Sequence, residues 1–230
     1  MAALLILGFL LGLKHALEAD HVAAVATLAT RSPGWTGVVP VAAAWGAGHA
    51  LALIVFGSIL LSLDLTLAPA ASRALEALVG AMLVLLGVDV LRRLRRRRIH
   101  FHAHEHQGRR HFHAHGHAEK VIHDEAHHDH AHVRRLLPRA LVVGGIHGLS
   151  GTAAVTLLSL EAIRSSSGAI VYLALFGIGS ILGMVLLSLV ISLPFRFSAQ
   201  RLTHFSSRIE AALGSATIVL GGWILVQNAL

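Results

Sequence analysis

Lys14-His15-Ala16-Leu17-Glu18-Ala19-Asp20-His21 lies inside an apolar run that starts at Ala2 and continues to about Ala29. The run is long enough to cross a bilayer and longer than an ordinary soluble core helix. Lys14, His15, Glu18, Asp20 and His21 are all ionisable. Such side chains are costly in hydrocarbon, so a cluster near the middle of a span marks a functional site. Two imidazoles and two carboxylates make a ligand set of borderline hardness, suited to a divalent metal. On a straight helix His15, Glu18 and His21 share an arc of about 120°, and Lys14 falls within it. Lys14 also stands at pairing distance from Glu18. Asp20 points about 140° away from His15. Either the helix bends here, or Asp20 orients a ligand without holding the ion. No Gly or Pro lies between His15 and His21 to favour a break. The plainer alternative is a Lys14–Glu18 ion pair with the imidazoles hydrogen-bonded between helices.

Composition sets the class. The chain is 55% hydrophobic and 13% charged, with a mean hydropathy of +0.69. That indicates a polytopic membrane protein, and 230 residues suffice for one membrane domain. The absence of cysteine excludes disulfides, thiolate metal sites and thiol redox chemistry. The net charge of +7 is concentrated in one loop, so it reads as a topology signal and not as a nucleic-acid surface. The N-terminal run lacks a basic leading region and holds the ionisable cluster, so it reads as a span and not as a cleaved signal.

Six spans are expected, over about 2–29, 38–63, 72–91, 138–160, 169–193 and 206–230. Arg31-Ser32-Pro33-Gly34 and Ser165-Ser166-Ser167-Gly168 read as turns, and Pro194 as a helix stop. The chain divides into a first three-helix repeat over residues 1–92, a His- and Arg-rich loop over 93–135 that cannot form a core and is expected to be disordered without metal, and a second three-helix repeat over residues 136–230. Three matches recur in the same order in the two flanking parts. Gly12-Leu13-Lys14-His15 matches Gly144-Gly145-Ile146-His147, Gly46-Ala47-Gly48-His49 matches Gly177-Ile178-Gly179-Ser180, and Glu76 to Gly80 matches Glu210 to Gly214. Three spans per copy is odd, so the copies must lie upside down relative to each other. The expected fold is therefore an all-α, six-helix membrane protein built as a 3+3 inverted repeat, with the binding site near mid-membrane where the copies meet. Arg31, the Arg-rich loop, Arg196, Arg201 and Arg208 fall on one side, against Arg73 and Arg164 on the other. The first side is expected in the cytoplasm, with both termini outside.

His49 and His147 fall near the depth of His15 and add to the intramembrane set. Gly144, Gly145, Gly148 and Gly151 around His147 permit close helix approach. Ser150 and Thr152 align with Glu18 and Asp20 and offer neutral oxygens; with Lys14 they are candidates to support the ligands. The loop carries His100, His102, His104, His106, His111, His113, His115, His117, His123, His127, His128, His130 and His132. Imidazole is the commonest metal-binding side chain, and thirteen exceed what topology needs.

The His15-x4-Asp20-His21 pattern resembles the signature of the nickel/cobalt permease family. Gly12 to His21 is most similar to its shorter, urease-associated UreH-type branch, as is His147-Gly148-Leu149-Ser150-Gly151-Thr152-Ala153-Ala154. The resemblance implies Ni²⁺ or Co²⁺ as transported substrate, no permanent cofactor, and binding by His15, Asp20 and His21, with Glu18, His49 and His147 completing or gating the site. The chain departs from the long permeases in its six spans, in Glu18 where their motif has Asp, and in lacking their acidic second-half motif. The expectation is a multi-pass permease of a cell inner membrane, with the metal ion, the bilayer and cytosolic metallochaperones as partners. An exporter with a metal-capturing loop and a non-transporting metal store or sensor are the alternatives. An intramembrane hydrolase finds no HExxH spacing in the chain.

Overall fold

A computed structural model describes residues 2–30, 35–63, 65, 67–96, 100–106, 109–115, 136–150, 166–199 and 203–229. The helices are α1 (Ala2–His15), α2 (Ala19–Ala29), α3 (Trp35–Ser62), α4 (Pro69–Arg96), α5 (described over Leu136–Ser150), α6 (Ser166–Ala199) and α7 (Thr203–Ala229). Four of them, α3, α4, α6 and α7, are long and apolar enough to cross a membrane. Their large apolar side chains point outward: Leu51, Val55, Leu85, Leu186, Val190, Val219 and Trp223 are all exposed. Inside, Trp45, Leu53, Leu83, Leu173 and Met184 pack with polar residues, among them His21, His49, His147, Ser180, Ser188 and Thr217. Polar side chains turned inward and apolar ones left outside suit a lipid surround.

The expected first span is not one helix. It breaks at Ala16–Glu18 into α1 and α2, with Glu18 in extended geometry (φ −66°, ψ 149°). The break needs no Gly or Pro because the charges suit the new termini. Lys14 and His15 stand in the last turn of α1, and Asp20 in the first turn of α2. Cations favour a helix C-terminus and anions an N-terminus. The Leu17 and Glu18 amides are satisfied by the Lys14 and His15 carbonyls, at 2.9 and 3.0 Å.

Other boundaries move outward from the sequence expectation. Pro69 opens α4, a position where its missing N–H costs nothing. The same helix runs on to Arg96, past the expected loop start. α6 begins within the Ser/Gly turn and continues through Pro194 to Ala199, as membrane helices can when neighbours re-satisfy the freed backbone groups. The end expected for the fourth span lies outside the described residues. Within the loop, β1 (His100–His106) and β2 (Arg109–His115) pair antiparallel, with His100 opposite His115, His102 opposite His113 and His104 opposite His111. Alternation along both tracts is the strand period.

The helices pack through glycines. α1 and α3 both lie along α6, and α4 lies along α7. A side chain at Gly12 would strike the Phe176 carbonyl, and one at Gly144 the Trp45 carbonyl. One at Gly48 would strike the Leu141 carbonyl, and one at Gly179 the Phe9 carbonyl. Gly80 meets Gly221 and Gly87 meets Gly214, at 2.8 and 2.6 Å from an added Cβ to the carbonyl oxygen. Such approaches hold the bundle tightly around the residues between them.

Candidate metal centre

The break in the first span frees Asp20 from the far side of a straight helix and sets it against His21 and His147. The Asp20 carboxylate accepts from the His21 backbone N–H at 2.9 Å and from His21 Nδ1 at 3.1 Å. Its second oxygen accepts from His147 Nε2 at 2.9 Å, so α5 is tied to the start of α2. His15 Nδ1 pairs with Glu18 Oε1 at 3.0 Å. Glu18 is therefore engaged by His15, its own neighbour across the break, and its side chain is 58% exposed.

Four imidazoles crowd around this carboxylate. Ring centroids stand 4.4 Å apart for His15 and His21, 5.1 Å for His21 and His49, and 5.4 Å for His15 and His49. His147 lies 4.2 Å from His21 and 5.8 Å from His49. His21, His49 and His147 are almost completely buried. Among the described residues His15 Nε2, His21 Nε2, His147 Nδ1 and both ring nitrogens of His49 have no hydrogen-bond partner. Unpartnered buried polar atoms are costly, and here they converge. One ligand atom from each of His15, His21 and His49 falls within 4.8 Å of the others, and the same holds for Asp20, His21 and His147. Asp20 holds His21 Nδ1 and His147 Nε2 as N–H donors, which leaves the opposite nitrogen of each ring as a lone-pair donor. Carboxylates orient metal-binding histidines in this manner.

Aromatic walls enclose the cluster. Phe176 stands 5.2 Å from His15, and Trp45 stands 5.6 Å from His21 and 5.5 Å from His147. A cavity of about 430 Å³ leads to the cluster, where it touches His15, Asp20, His21 and His147. Lys14, Glu18, Glu76, Ser150, Gln227 and Asn228 are its polar wall. Of the expected supporting residues, Lys14 and Ser150 thus line the approach, and Thr152 lies outside the described residues. His117, His123, His127, His128, His130 and His132 of the loop lie outside them as well. Trp45, Phe176 and Glu76 were not anticipated from the sequence; only the proximity of Trp45 to His49 along α3 hinted at the first.

The class these features define is a helical membrane protein of the multi-pass type, with a buried His/Asp cluster that could bind a metal ion. Over 213 residues, 91% of this chain and 85% of the relative, the sequence is 32% identical to the urease accessory protein UreH of Bacillus sp. (strain TB-90). The chain belongs to the UreH family. No family model and no solved structure matches it.

Proposed function

We propose that this protein is a permease for Ni²⁺ or Co²⁺, without catalytic chemistry, in which the ion passes through the His15–His21–His49 cluster. The observation that carries the reading is the convergence of unpartnered, buried imidazole nitrogens at the base of a cavity lined by Glu18 and Glu76. Borderline nitrogen ligands suit both ions. His15, His21 and His49 offer nitrogens to the ion, Asp20 orients His21 and His147, and His147 approaches from the other half of the chain. Glu18 and Glu76 give the cavity the negative charge that draws a cation in. Membership of the UreH family supports nickel as the substrate.

The architecture proposed with this reading is the inverted 3+3 repeat. Its support is the reciprocity of the glycine contacts. Gly12 meets Phe176 as Gly144 meets Trp45, and Gly48 meets Leu141 as Gly179 meets Phe9. The partners correspond one to one in the aligned halves. The α4–α7 pair maps onto itself, since Gly80 meets Gly221 as Gly214 meets Gly87. Two halves so related rock about a central site in secondary transporters. The cavity lies where α4 begins and α7 ends, opposite the Arg-rich end of α4. With the Arg-rich face in the cytoplasm, the cavity faces outward. The protein then resides in the cell inner membrane with both termini outside, and its His-rich loop collects metal in the cytoplasm. Uptake of ⁶³Ni²⁺ into proteoliposomes tests the proposal: time-dependent accumulation in the lumen supports a permease, and binding without accumulation identifies a membrane store.

A further inference from the structure

A second cavity, of about 440 Å³, lies at the Arg-rich end of the bundle, lined by Leu28, Val41, Leu86, Leu136, Val143 and neighbours, with Arg139 as its polar residue. It shares no lining residue with the cavity that reaches the histidines. Two of its nine lining residues have counterparts in the first. Val41 aligns with Tyr172 and Val143 with Leu11, and those two line the first cavity. The first cavity touches the cluster and the second does not.

Trp45 stands between. It is fully buried, and its ring packs against His21 and His147. It also lies one helical turn beyond Val41, and its carbonyl closes on Gly144, next to Val143. Its counterpart in the other half is Phe176, which packs on His15 and lines the first cavity. The indole Nε1–H is buried and has no partner among the described residues. A buried donor left unpaired disfavours the arrangement that holds it, which lowers the cost of a conformation that wets the indole.

We infer that Trp45 is the inner gate of the ion path, and that Phe176 is its counterpart toward the outer cavity. The inference rests on the ion path proposed above. With Trp45 seated, the cavity that reaches the cluster among the described residues is the one on the Phe176 side. Moving the indole from His21 and His147 toward the Arg-rich end, past the second cavity, connects the cluster to that face and lets the Nε1–H reach water. Closure on the Phe176 side completes the exchange.

The test is counterflow of ⁶³Ni²⁺ in proteoliposomes, with net downhill flux and equilibrium ⁶³Ni²⁺ binding measured beside it. A carrier whose gates alternate accumulates label transiently when unlabelled nickel is trapped in the lumen; a path open at both ends does not. Wild type should show the overshoot. Trp45→Ala should bind nickel and pass it downhill while losing the overshoot, and Trp45→Phe should keep it. An overshoot of wild-type size in Trp45→Ala, or loss of all flux with binding intact, would overturn the gate and leave the ion site standing. Absence of flux in wild type would overturn the path, and the gate with it. If Trp45→Ala does not insert, Trp45→Leu carries the same comparison, since it also removes the ring.

Discussion

Asp20 Oδ2 accepts a hydrogen bond from His147 Nε2 at 2.9 Å, across 127 positions of sequence. The same carboxylate holds His21 Nδ1 at 3.1 Å. One acidic group therefore fixes two imidazoles from opposite halves of the chain, and both keep their other nitrogen for an ion. Replacing Asp20 by Asn should cost roughly 10–100-fold in nickel affinity, measured by equilibrium binding, with membrane insertion unchanged. Affinity equal to wild type would show that the carboxylate orients nothing.

Packing gives an independent prediction. A side chain at Gly48 would enter the Leu141 carbonyl, whereas one at Gly222 meets nothing within 4 Å. Gly48→Val should lower the melting temperature in detergent, since overpacking costs about 1–3 kcal/mol or more. Gly222→Ala should be neutral or raise it slightly. Gly179→Val should resemble Gly48→Val if the two halves are counterparts.

Much of the centre was legible from Gly12 to His21. The ionisable residues marked a candidate site, and the depths of His49 and His147 anticipated that their rings would lie beside it. The helical wheel left two readings of Asp20 open, a bent helix or a carboxylate that orients a ligand, and the chain does break there. No Gly or Pro marks the break; Lys14 and His15 stand in the last turn before it and Asp20 in the first turn after it, charges that suit the two new termini. Lys14 and Glu18 looked like an i,i+4 pair on one helix when they stand at two helix termini. Trp45 and Phe176 were hidden because an aromatic residue in an apolar span carries no signal of its own. Their roles emerge only when packing places them beside histidines. The helix through Pro194 was missed because a soluble-protein rule was applied to a membrane span.

The loop makes a separate prediction. Deleting residues 100–132 should leave nickel flux in place and remove most of the metal bound outside the membrane. In the intact protein that fraction should be released below about pH 6, as imidazoles protonate and lose their lone pairs. Complete loss of flux in a well-inserted deletion protein would place the loop in the path itself.

Topology can be read by single cysteines, because the native chain has none. Cysteines at positions 66 and 166 should react with an impermeant reagent from outside, and those at 34 and 199 from the cytoplasm. Reaction of 66 and 199 from the same side would break the inverted arrangement of the halves.

The central claim is that the ion passes through His15, His21 and His49. Its most direct test is ⁶³Ni²⁺ flux in sealed vesicles of known orientation, comparing wild type with His21→Ala at matched levels of inserted protein. His21 belongs to both groups of converging ligand atoms, so its loss removes a ligand from each. The account predicts that flux in His21→Ala falls to the level of protein-free vesicles. Wild-type flux in a well-inserted His21→Ala protein would contradict it.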